Sequence, residues 1–422
     1  MERQNRLLTI LAVILLVLVA VLVLSPPEAG DEATVDDDAP PQSKLFDYKR
    51  DDISVLALDG PHGEIRFEKG MEGWRMTRPR EAAVDDTKLT SIIDRFETLK
   101  IEDRTLEGKA EDYGLDAEHR VDLRMEKPDG AVFSVIVGKD TTVGYRTYAA
   151  RADGAPAQLL SSKVADLVQK APDDFRSKRL LDFSPTSVRR IRIVDGSAEL
   201  VLRKSDHGWW IGDNGPRADG DKVGDWIAAL SGAQAERFLD GQSPGELGLD
   251  HPPALLAVED DGGTHTLKLG ARDHDGANAI AGDVPVRVAT EDLEKLLVTT
   301  GYLSPLALEV KAWMAQSLEV QLGDRSLVAS RKEGEWVDAT GAPVGKVDEL
   351  LDAIAKAGAD RSGTPAFSGN WGRIAVGLGG DKGEVVSIGD SLPGGGRVAR
   401  DEAGGPPFRI DDATLAALAS SF

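Results

Sequence analysis

Few residues in this chain have the types and spacing that chemistry needs. Ser391, in Gly389-Asp390-Ser391-Leu392 after the apolar run Val385-Val386-Ser387-Ile388, is placed like a hydroxyl nucleophile at the end of a buried strand. Such a serine needs a general base within hydrogen-bond reach, normally histidine. Only thirty residues follow Leu392, and no histidine occurs after His274. A second candidate is Asp273-His274-Asp275-Gly276, with Glu259-Asp260-Asp261 not far before it. Asp273 and Asp275 could serve as hydrolytic carboxylates with a bound cation, but the loop lacks the oxygen-ligand spacing of a calcium hand. It reads as a solvated acidic turn. The histidines at 62, 119, 207, 251, 265 and 274 show no zinc spacing and read as surface residues. Gly341-Ala342-Pro343-Val344-Gly345-Lys346 is one residue too short for a phosphate loop and continues into Val347 instead of Ser or Thr. Together with Gly394-Gly395-Gly396, it reads as turn glycine. The expectation is therefore no catalytic, cofactor-binding or metal-binding residue, and no enzyme.

The elements that would position such residues recur three times. Trp74, Trp210 and Trp336 each precede a proline (Pro79, Pro216, Pro343) and then a helix. The helices carry apolar residues at i, i+3, i+4 and i+7: Leu89, Ile92, Ile93, Phe96; Val223, Trp226, Ile227, Leu230; Val347, Leu350, Leu351, Ile354. That spacing is one face of an α-helix. Glycines 114, 248 and 372 each fall 25 residues after the start of a stripe. An apolar-Gly step follows at Val137-Gly138, Leu269-Gly270 and Ile388-Gly389, and a short helix closes each copy. Between these landmarks Ile53 to Leu58 and Val121 to Met125 alternate, and turns at Pro61-His62-Gly63, Asp129-Gly130 and Asp261-Gly262-Gly263 read as hairpins. The predicted class is α+β: three tandem related domains after one N-terminal transmembrane helix, each an antiparallel sheet packed with an amphipathic helix. The tryptophans read as plugs between helix and sheet rather than as a ligand groove.

Composition narrows the partners. A formal charge of -22 without clustered Lys or Arg argues against nucleic acid. The absence of cysteine excludes disulfides, thiolate metal sites and a cysteine nucleophile. Residues 7–24 carry no charge, have only Thr9 as a polar interruption, are long enough at about 1.5 Å per residue to cross a bilayer, and lack a small-x-small cleavage site after them. Arg3 and Arg6 before this stretch, and acidic residues after it, place 1–6 in the cytoplasm and the rest outside. The expected organisation is a cytoplasmic tip 1–6, an anchor 7–24, a disordered acidic tether 25–44, and repeat domains 45–187, 188–316 and 317–422. The segment Phe175-Arg176-Ser177-Lys178-Arg179-Leu180-Leu181-Asp182-Phe183 stands out as basic in an acidic chain. It reads as a connector or a docking strip.

Two resemblances bear on these residues. Gly389 to Leu392 resembles the nucleophile block of the Gly-Asp-Ser-Leu esterases, but that block begins its domain and its Asp and His lie far downstream, an order this chain cannot supply. The Trp-to-Pro step, amphipathic helix, Tyr113-Gly114-Leu115, Val137-Gly138-Lys139, Tyr145-x2-Tyr148, Arg176, Lys178 and Leu180-Leu181 resemble family 4340 of domains of unknown function, over about 45–305. The resemblance implies a single membrane span, an extracytoplasmic α+β region and association with an ABC-type transport system and its gliding-motility-like auxiliary subunit. It brings no catalytic residues. The expected function is a non-catalytic, membrane-anchored accessory or scaffold, with ABC transporter subunits or an envelope protein as partners. The alternatives are an envelope module binding a polymer or small solute, or a carboxylate-dependent hydrolase.

Overall fold

Three stretches of alternating sequence form three antiparallel sheets in the computed structural model, which describes residues 41–422 apart from 72, 363, 381 and 422. Each begins with a three-strand meander: Val55–Gly60, Gly63–Gly70 and Gly73–Arg78 in the first, Arg190–Asp195, Ala198–Ser205 and Gly208–Ile211 in the second, Ser317–Leu322, Arg325–Lys332 and Glu335–Val337 in the third. A helix follows, Asp86–Thr98, Gly220–Gly232 or Val347–Ala355. The chain then returns to pair its fourth strand (Val121–Glu126, Ala254–Asp260 or Gly372–Gly379) against the first, and continues outward as another meander. In each sheet the leading strands therefore lie side by side as third, second, first, fourth, fifth and sixth. Short strands widen the first sheet to ten and the second to eight, while the third has seven.

The helices are held by the stripes read from the sequence. Leu89, Ile92, Ile93 and Phe96 are no more than 1% exposed, and they face Leu56, Leu58, Ile65, Phe67, Leu123 and Met125 on the inner face of the first sheet. Asp85 and Asp219 cap their helices by accepting the amides of Thr87 and Lys222, which satisfies donors the first turn would otherwise leave open.

The α+β class is corrected. Strand accounts for 41% and helix for 19%, and every pairing is antiparallel, so the molecule is sheet-dominated, with helices as single covers. The expected antiparallel sheets with one covering helix each are present, but the sheets are wider than the alternation shows, because two-residue strands such as Ala82–Ala83 and Arg237–Phe238 have no period. The expected transmembrane helix at 7–24 lies outside the described residues, as do the tip and most of the tether. Among the described residues no helix is long and apolar enough to cross a membrane. The last tether residues, Gln42–Lys44, form a strand against Lys100–Glu102.

The chain divides into two compact units between Ser177 and Lys178, one holding the first sheet and the other the second and third. The basic segment runs through this boundary. Phe175 is buried edge-on against Phe67 in the first unit's core, Arg176 is itself buried, and Leu180 and Leu181 join the core of the second sheet.

Two landmarks were misaligned by sequence. Trp74 pairs with Lys69 and Trp209 with Lys204, each one step in from the hairpin end, which makes Trp209 the counterpart of Trp74. Trp209 and Trp336 lie in the cores of their sheets, whereas Trp210 is buried on the opposite side of its strand, because neighbouring strand residues face opposite ways. The counterpart of Gly114 and Gly248, both in the left-handed region, is Gly369 and not Gly372, which lies within a strand.

Candidate functional site

The most deeply buried charges of the second unit converge where its two sheets meet. Arg217 follows Pro216 on the short link between the strand Gly208–Ile211 and the helix Gly220–Gly232, and the Ala218 amide donating to the Trp209 carbonyl fixes the link against the sheet. Its side chain is directed at the third sheet. Arg217 is 1% exposed; Nε donates to Asp401 at 2.8 Å, Nη2 to Glu384 at 2.6 Å, and Nη1 to the His207 carbonyl at 2.8 Å. The guanidinium also lies 5.0 Å from the centre of the Trp210 ring. The Gly404-Gly405 turn closes over that ring, where a Cβ on Gly405 would stand 2.9 Å from it. Glu384 comes from the strand Lys382–Ser391 and Asp401 from the end of Arg397–Asp401, so three elements supply one ion cluster.

A second tier surrounds the cluster. Ser304 donates its amide to the Arg217 carbonyl, and Arg361 donates to the carbonyls of Ser304 and Leu306 while stacking over Phe408. Burial pushes the Arg361 guanidinium down to about 10 and the Glu309 carboxyl up. Burial likewise raises the Glu384 carboxyl, against the pull of Arg217. His207 Nδ1 stands 3.8 Å from Glu384. The one hydroxyl described in this tier, that of Ser304, accepts the Leu306 amide and bonds the Glu309 carboxyl. What the arrangement does is fasten: removing one partner of such a buried pair leaves an uncompensated charge, at a cost of about 3–5 kcal/mol.

The residues singled out by sequence lie elsewhere and are not brought together. Gly389 sits at a bulge of its strand, as Gly138 and Gly270 do in theirs, and the three are true counterparts. A Cβ on Gly138 would lie 2.3 Å from the Tyr113 carbonyl and one on Gly389 1.9 Å from that of Ser368, so the glycine allows a loop to cross the bulge. Ser391 is an exposed strand residue opposite Arg397, and among the described residues no imidazole is bonded to it. Asp273 holds the turn, accepting the amides of Asp275 and Gly276 and pairing with Arg287, which holds its carboxyl below the ordinary range. His274 and Asp275 are exposed.

The acidic turn before it is not solvated at its centre. Asp260 is 5% exposed and accepts the amides of Ser184, Gly262 and Gly263, with His265 Nε2 at 2.9 Å. These bonds, that from the Ser184 amide foremost, lower its carboxyl to about 2. His265 and His207 are half-buried rather than surface residues. One cluster went unread: ligand atoms of Asp116, Glu118 and His119 lie within 4.8 Å of one another. The turn itself accounts for them, since Asp116 accepts the Glu118 amide and bonds His119.

The outer face of the third sheet differs from its counterparts. Where the first sheet carries Arg66, Glu68, Arg124 and Glu126, the matching positions of the third are Val328, Ser330, Ala375 and Gly377. With Ser317 and Val385 they line an open groove of about 330 Å³, at the small end of ligand-sized pockets, with Glu319 and Asp338 in its wall.

Residues 74–252 match the domain of unknown function DUF4340. The match runs from the third strand of the first sheet to the residues just before the fourth strand of the second, and so includes Arg217 but neither of its carboxylate partners. No curated protein and no solved structure matches the chain.

Proposed function

We propose that this protein is a non-catalytic accessory or scaffold, held to a membrane by residues 7–24 with its sheets outside the cytoplasm, and that it serves as an auxiliary component of an ABC-type transport system. The observation that carries the scaffold reading is the use of the buried charges. Arg217, Glu384 and Asp401 fasten one sheet to another, and Asp260 and Asp273 are spent on their own turns. A protein so built presents fixed surfaces. The membrane and transporter parts rest on the apolar run and on the family resemblance.

The test is affinity purification of the full chain from its native membranes after mild crosslinking. Recovery of transporter ATPase and permease subunits in proportion to the bait is the expected result; their absence would remove the transporter from the proposal. For the hydrolase alternative, Asp273→Asn combined with Asp275→Asn is expected to leave function in the cell unchanged.

A further inference from the structure

The loop from Thr141 to Arg146 turns at the bulged end of the strand Val132–Asp140, in the first unit. The four most exposed large apolar side chains among the described residues are Met71, Val143, Trp313 and Tyr145, and two of them share this tip, Val143 at 85% and Tyr145 at 68%. Tyr145 has a φ of 49°. A bulky residue enters the left-handed region only where its surroundings hold it there. They do here, since the Thr141 amide donates to the Arg146 carbonyl at 2.8 Å and the Arg146 amide to Thr141 Oγ1 at 3.1 Å. A fixed loop thus presents the ring to the outside.

The charges at the base of the loop are already used. Asp140 accepts from the Thr147 hydroxyl and the Ala165 amide, and Arg146 pairs with Glu102, itself 2% exposed. Lys163 differs. Its Nζ rests 5.8 Å from the Tyr145 ring centre, and it pairs with no carboxylate among the described residues.

A convex tip of two side chains covers far less than the roughly 1,200 Å² of a stable protein interface. It suffices only against a surface already held close, where docking is an intramolecular step. The chain itself supplies that surface. Residues 25–41, between the apolar run and the first strand, have an r.m.s. reach of roughly 25 Å. The tether joins the fold beside the loop: Gln42 lies directly opposite Glu102, the ion-pair partner of Arg146. The side chains also suit the boundary of a bilayer, where an aromatic ring sits at headgroup level and a lysine carries its ammonium out to phosphate.

We propose that the Val143–Tyr145 tip dips into the outer surface of the bilayer that holds the chain, with Lys163 on a lipid phosphate. This rests on the reading that residues 7–24 span that bilayer. The tip gives the first unit a second point of contact and so a preferred orientation on the membrane.

The absence of cysteine allows one position at a time to be labelled. Full-length Val143→Cys, Ala131→Cys and Leu15→Cys chains carry an environment-sensitive fluorophore in vesicles of phosphatidylethanolamine and phosphatidylglycerol, and quenching by lipids spin-labelled at the headgroup or deep in the acyl chain is measured. Ala131 is the control, exposed at the other end of the same strand. The expected result is headgroup-lipid quenching at 143, none at 131, and deep-lipid quenching at 15. Adding Tyr145→Asn, which keeps a residue suited to the left-handed region, should lower the ratio of inserted to free tip about tenfold. Quenching at 15 with equal signals at 143 and 131, or quenching at 143 indifferent to Tyr145→Asn, would overturn the tip and leave the anchor standing. No quenching at 15 would overturn the anchor, and the tip with it.

Discussion

The outer faces of the first and third sheets have the same strand order and register but carry their charge in different places. On the first, Arg66 pairs with Glu68 at 2.8 Å and approaches Glu126, which also binds Arg124 at 2.9 Å. On the third, the matching four positions hold no charge. The second sheet is intermediate, with Val201, Arg203, Ala257 and Glu259 at those places. Inner faces are alike in all three, because each must bury a helix. A fold repeated three times constrains the inward half of the alternation and leaves the outward half free, so the outward half is where the copies acquire different roles. The third face keeps one charged patch, Glu319 and Glu402 with Arg373, beside a stretch without charge, and the uncharged stretch is the part suited to contact.

The largest way to break this comparison is at the buried charges. Arg217→Met should destabilise the second unit by about 3–5 kcal/mol, because Glu384 and Asp401 lose their counter-ion inside protein. Hydrogen exchange resolved by segment checks it: protection should fall in 178–422 and remain unchanged in 41–177. Replacing Glu384 and Asp401 by apolar residues in the same chain should recover much of the loss.

The bulge glycines come next. Gly389→Ala should cost about 1–3 kcal/mol through the clash with the Ser368 carbonyl, whereas Ser391→Ala should change stability by no more than about 0.5 kcal/mol, both read by urea unfolding. A large loss of function in Ser391→Ala at unchanged stability would instead restore the serine as a nucleophile.

Acid tests Asp260. Its carboxyl is lower in the fold, at about 2, than its ordinary 3.8, so its stabilising contribution is complete above 3.8 and is lost as pH falls toward 2. Asp260→Asn should therefore lower Tm at pH 7, and the gap from the parent should narrow between pH 4 and pH 2.

The smallest effect belongs to the charged face. Arg66→Ala or Arg124→Ala should cost only about 0–1 kcal/mol, and less in high salt, since these pairs are partly exposed.

What was legible in the sequence was whatever is periodic or local. The helix stripes, the hairpin turns and the glycine step at 138, 270 and 389 were found because their spacing is imposed by backbone geometry. Trp210 was taken for Trp209 because two adjacent tryptophans carry no label of face, and a slip of one residue reverses the side. Gly372 was taken for Gly369 because an equal count was mistaken for an equal place. The Arg217 cluster left no signal, since its partners lie 167 and 184 residues away. Asp260 was passed over because an acidic run looks the same whether its centre is turned to water or to amides.

The measurement that tests the comparison most directly is thiol labelling of two single-cysteine full-length chains, Val328→Cys on the third sheet and Arg66→Cys at the matching place on the first. With no native cysteine, each reports one face. If the third face is a contact surface, labelling at 328 should be slower in native membranes than in the purified chain, while labelling at 66 stays the same. Rates that are the same in membranes and in the purified chain at both positions would contradict the account.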